Sequence, residues 1–104
     1  SIPTSANKED HVSMGTTSAR KCRDVGRNSE AVIAIELLCA AQALDLFTNM
    51  KPGEGTLAAY KAIRKQVSHL DKDRVLSKDI ETVVGLMRAG TLLSAVERKV
   101  GKLS

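Results

Sequence analysis

Glu9, Asp10 and His11 stand side by side near the start of the chain, two carboxylates and an imidazole, side-chain types that carry protons in catalysis. Their contiguity matches no metal-ligand spacing, so the chemistry they suggest is that of a carboxylate acting as acid, base or substrate anchor. The same residues also make a good helix start. Pro3 keeps itself and Ile2 out of a helix, Asn7 is placed to cap the next turn, and Asp10 lies three residues on, where a capping box has its acceptor. Acidic residues in a first turn face the electropositive helix end, which holds a carboxylate in place.

The other reactive side chains are dispersed. His69 falls at the polar end of a helix with no second ligand near it in sequence, and reads as a surface or capping residue. Tyr60 belongs to an apolar stripe and reads as packing. Cys22 and Cys39 are separated by sixteen residues, form no CxxC and have small apolar neighbours, so buried, reduced thiols are expected. Sequence leaves a disulfide or a reactive thiol open. No signal peptide is visible, and the chain is read as cytoplasmic.

These residues need a scaffold, and composition limits what it can be. With 104 residues, one Phe, one Tyr and no Trp, the chain makes one domain at most, with a core built from aliphatic side chains. The net charge of +4 comes entirely from the second half: residues 1–52 carry six basic and six acidic side chains, residues 53–104 ten and six. Acids interleave with bases there, and Tyr60 is the one aromatic in that half, which favours a solvated helix surface over nucleic-acid binding.

The periodicity is helical throughout. A first helix is expected from Lys8 to about Val25, with Val12, Gly15, Ala19 and Cys22 on one smooth face and Gly26 as its stop. Asn28 or Ser29 then caps a second helix to about Met50, broken by Pro52-Gly53. Between Ala31 and Asp45 only Glu36, Gln42 and Asp45 are polar, so this helix is expected to be buried on nearly all sides. The run falls short of the roughly twenty residues a membrane span needs, and Glu36 and Gln42 interrupt it, so no membrane span is assigned. A chain this small has too few partners to surround such a helix, which points to packing against copies or against further sequence, with Glu36 and Gln42 hydrogen-bonded inside that interface. Thr56 starts a third helix carrying Tyr60, Ile63, Val67 and Leu70, Ser77 a fourth that Gly90 ends, and a fifth runs from about Leu92. The fold class is all-α, with about five helices.

The stretch Pro3-Thr4-Ser5-Ala6-Asn7-Lys8-Glu9-Asp10-His11-Val12-Ser13-Met14-Gly15 closely resembles the carboxy-terminal active-site segment of the histidine ammonia-lyase family. The resemblance continues through Ala34-Ile35-Glu36-Leu37-Leu38 and Ala40 to Leu46, then more loosely through Arg64, Val67, Asp73-Arg74 and Asp79-Ile80.

That resemblance implies a fragment of the ammonia-lyase/fumarase-like helical bundle, with residues 1–104 as a single helical region. It implies elimination of ammonia from L-histidine to give trans-urocanate, on an electrophilic methylidene-imidazolone (MIO) group formed from an internal Ala-Ser-Gly. This sequence contains no Ala-Ser-Gly, so the MIO-bearing amino-terminal part is expected to be absent and the chain inactive alone. The site residue it implies is Glu9, as catalytic and substrate-binding carboxylate; no cofactor-binding or metal-binding residue is assigned. The family usually has Gln at position 8, and Lys8 departs from it. A homotetramer is implied, with self-association through the Ala31–Asp45 helix. The alternative is a non-catalytic helical module, derived from a lyase, that serves self-association or regulation.

Overall fold

The computed structural model describes residues 8–47, 49 and 51–103, with side chains from Gly15 onward. The expected Asn7 cap lies outside them. Among the described residues there are four helices and no strand: α1 Lys8–Leu46, α2 Glu54–Arg64, α3 Ser77–Arg88 and α4 Thr91–Val100. The all-α class holds, with one helix fewer than expected because the first two are continuous. Gly26 does not stop α1. A glycine inside a helix costs only about 1 kcal/mol relative to alanine, and with no proline between Pro3 and Pro52 the hydrogen-bond ladder outweighs that local cost.

The chain divides into two units, Ser1–Glu30 and Ala31–Ser104. In the first, residues 15–29 are all exposed, Cys22 among them. In the second, Ala34 and Ala41 of α1, Ile63 and Val67 in and after α2, and Val83 of α3 form the core, with Leu37, Leu38, Ile80, Val84, Met87 and Leu92 packed around it. One side of that stretch of α1 is open: Val32 is 54% exposed and Ile35 45%. Cys39 is on this open side, so the expectation of buried thiols fails for both cysteines; both are free and exposed.

α2 begins earlier than expected, with Gly53, not Thr56, in extended conformation as its N-cap and Glu54 in the first turn, where a carboxylate suits the helix end. It also ends earlier. The N–H groups of both Gln66 and Val67 turn back to the Ile63 carbonyl, at 3.0 and 2.8 Å, and the Arg64 guanidinium donates to the Val67 carbonyl at 3.1 Å. Val67, Ser68 and His69 are weak helix formers, so the chain leaves the helix there while Val67 still enters the core as its place on the stripe predicts.

Arg74 orders the connector that follows. Its guanidinium donates to Asp79 at 2.9 Å, to the Ser68 hydroxyl at 3.0 Å and to the Ser68 carbonyl at 2.6 Å, fixing the start of α3 against the turn after α2. Between α3 and α4 the reversal is made by Gly90 at φ 73°, a left-handed conformation that glycine adopts without steric cost. At the other end of α4, a methyl group on Gly55 would meet Val96 and Val100 at 3.3 and 3.4 Å, so the glycine lets α2 and α4 pack closely.

Candidate functional site

Glu9, Asp10 and His11 are consecutive helical residues of α1. Their side chains lie outside the described residues. The triplet is helical as expected, and the helix start expected just before it falls on residues outside the described ones.

A second polar constellation, not foreseen from the sequence, lies within the unit that begins at Ala31. Asp45, in the last turn of α1, accepts three side-chain hydrogen bonds. Arg64 reaches its Oδ2 at 2.6 Å, His69 Nδ1 reaches the same oxygen at 2.7 Å, and the Tyr60 hydroxyl donates to Oδ1. Asp45 and Arg64 are nearly buried, their side chains 14% and 15% exposed.

Gln42, one turn earlier, completes the arrangement. Its amide pairs with the backbone of Leu70 in both directions: the Leu70 N–H donates to Oε1 at 3.2 Å and Nε2 donates to the Leu70 carbonyl at 3.1 Å. This double contact fixes which end of the amide is nitrogen, so Nε2 also points its hydrogen at His69 Nε2, 3.4 Å away. The His69 tautomer with hydrogen on Nδ1 satisfies both this contact and the one to Asp45. Gln42 thus finds its partners inside the chain and not in an interface, while Glu36 is exposed. His69, its side chain 37% exposed, is also held by Asp45 and Gln42, and Tyr60 does more than pack.

Electrostatics decide what this cluster can do. Burial works against ionising Asp45, but the bonds from Tyr60, His69 and Arg64 and the Arg64 charge outweigh it and hold the pKa down at about 2, against an ordinary 3.8. The bond to Asp45, with burial, pushes the Tyr60 hydroxyl above its ordinary value, so it stays a donor at neutral pH. A carboxylate this acidic, with three donors on it, is a poor general base near neutrality. The cluster fastens α1 to α2 and to the turn at residues 65–70. Arg64 Nε is buried without a partner, a cost partly offset by the guanidinium lying 5.7 Å from the Tyr60 ring centre. Tyr60→Phe removes one donor and leaves two, so urea denaturation should show a loss of about 1.5–3 kcal/mol, the range for a hydrogen bond to a charged group.

An apolar groove of about 170 Å³ runs beside the cluster, between Ile35, Leu38 and Cys39 on α1 and Leu76 and Ile80 at the start of α3. Among the described residues no group of three or more His, Cys, Asp or Glu is arranged to hold a metal, and no helix is long and apolar enough to cross a membrane.

The sequence profile of aromatic amino acid lyases matches residues 1–65. The chain belongs to that family. The matched span of this aromatic amino acid lyase sequence takes in α1, α2, Glu9, Asp45, Tyr60 and Arg64, and stops short of His69. Among similar proteins, the histidine ammonia-lyase of Gloeobacter violaceus is 58% identical over 103 residues, covering 99% of this chain and 20% of that protein. Those of Natranaerobius thermophilus and Sorangium cellulosum are 54% and 47% identical, over 99% and 100% of this chain and 20% of each relative. The lyase chain described here therefore spans about one fifth of the length of these relatives.

Proposed function

We propose that this chain is part of a histidine ammonia-lyase, acting in the conversion of L-histidine to trans-urocanate and ammonia in the cytoplasm. The observation that carries this reading is the 58% identity to a histidine ammonia-lyase across 99% of the chain. The chain's share of the work is an active-site carboxylate, Glu9, carried on α1, together with helices for the core of a homotetramer.

The residues present do not supply the MIO electrophile, since no Ala-Ser-Gly occurs in the sequence. In this reading the electrophile belongs to the four-fifths of the relatives' length that the chain does not match. The role left to Glu9 is to contact the polar groups of bound histidine from its place on α1. The face of α1 with Val32, Ile33 and Ile35 exposed supports further packing, with other parts of the lyase or with other subunits covering it.

The test is a chimera. Residues 1–104 replace the matching fifth of the Gloeobacter violaceus enzyme, and urocanate is followed by its ultraviolet absorbance with L-histidine as substrate. The chimera should form urocanate, and the purified 104-residue chain should form none. A soluble, folded chimera with no activity would overturn the reading.

A further inference from the structure

We propose a binding site for a small polyphosphate anion in the groove between α2 and α4, a site independent of the lyase reading. The groove has a volume of about 470 Å³. The two helices run antiparallel, since Gly55 at the start of α2 meets Val100 at the end of α4. One wall carries Lys61 and Lys65, and the other carries Arg98 and Lys99, over a floor that includes Ala62 and Ala95.

Four cations line this one groove, and none of them forms an ion pair with a described carboxylate. The acidic side chains of the second half are committed elsewhere or lie outside the groove. Asp79 pairs with Arg74, Asp71 faces His69, and Glu97, the one acid on α4, accepts the Leu103 N–H at 2.7 Å. The basic excess of the sequence is thus gathered in part on one surface instead of being balanced across it.

Lys61 and Lys65 are one helical turn apart on the same side of α2, about 6 Å along its axis. Like charges so placed repel one another, and an anion lying between the walls relieves that repulsion. Small side chains on the floor leave room for it. The class of anion follows from the lining: no aromatic side chain offers a base a stacking surface, so charge is what the groove reads, and linked phosphoryl groups present the most charge in the least volume.

Inorganic tripolyphosphate is the probe, titrated calorimetrically into the 104-residue chain at low ionic strength. Binding should weaken as KCl is raised, and Lys61→Gln/Lys65→Gln should weaken it about tenfold or more, as should Arg98→Gln/Lys99→Gln. Lys72→Gln/Lys78→Gln, outside the groove, should leave it unchanged. All these positions are exposed, and circular dichroism checks that helix content is retained. Equal losses in the groove and control variants would overturn the proposal, as would no tripolyphosphate binding. Tighter binding of a single-stranded oligonucleotide than of tripolyphosphate would also overturn it, since it would make the site a nucleic-acid surface.

Discussion

Asp45→Ala is expected to remove most of the stability of residues 31–104, by about 3–5 kcal/mol in urea denaturation. The size follows from what is left behind. Arg64, 15% exposed, would lose the carboxylate at 2.6 Å and keep a nearly buried charge whose Nε already lacks a partner. His69 Nδ1 and the Tyr60 hydroxyl would lose their acceptor in the same step. A unit of this size has a total stability on the order of 5–10 kcal/mol, so a loss of this magnitude leaves little margin. If the penalty is the stranded charge, Asp45→Ala/Arg64→Met should be more stable than Asp45→Ala alone. A double variant no better than the single one would show that the three acceptor bonds, and not the charge, set the cost.

The same carboxylate gives the unit an acid limit. Its folded-state pKa of about 2 lies below the ordinary 3.8, so the folded state favours the ionised form. That contribution is present above pH 3.8 and is lost as the pH falls through about 2, below which the carboxylate is protonated in both states. Its size is on the order of 2 kcal/mol. Asp45→Asn should remove this part of the acid dependence, a difference that denaturation midpoints of the two proteins between pH 5 and 2 would record.

The helices were legible because their signals are local. The stripe through Ile63 and Val67 did mark the buried side of α2, Pro52-Gly53 did break the chain, and Gly90 did end α3. Gly26 misled because a glycine is only a weak helix breaker when nothing else competes for its backbone. The cluster around Asp45 was not legible, because its partners are 15, 19 and 24 residues away and each alone is an ordinary polar side chain on a helix. One signal was available: Tyr60 and Arg64, a turn apart on one face of α2, form a phenol–guanidinium pair that calls for an acceptor, and Asp45 is the one acid ending the apolar run before it. The open side of α1 was expected from composition, since twelve of fifteen residues from Ala31 to Asp45 are apolar or small and the chain offers too little to cover them. The exposed Val32, Ile33 and Ile35 agree with that reading.

In the active chimera, Glu9→Gln is expected to lower kcat/KM by about 10²–10⁴-fold, the range for loss of a positioned acid–base group. A purely structural role predicts something far smaller. In the helix-start role expected from the sequence, losing the Glu9 carboxylate costs about 0.3–1 kcal/mol, which would appear as a small shift in thermal stability with the rate unchanged. The two parameters then separate what Glu9 does to its substrate. A contact made equally to bound histidine and to the transition state raises KM and leaves kcat alone, whereas one that strengthens during elimination lowers kcat. We expect the fall in kcat. Lys8 provides the internal control, because adjacent residues of a helix point in directions about 100° apart and Lys8→Gln changes a neighbouring side chain without touching the carboxylate. It should alter kcat/KM far less than Glu9→Gln. Equal effects of the two substitutions would mean that this stretch of α1 as a whole, and not the Glu9 carboxylate, is what the site requires.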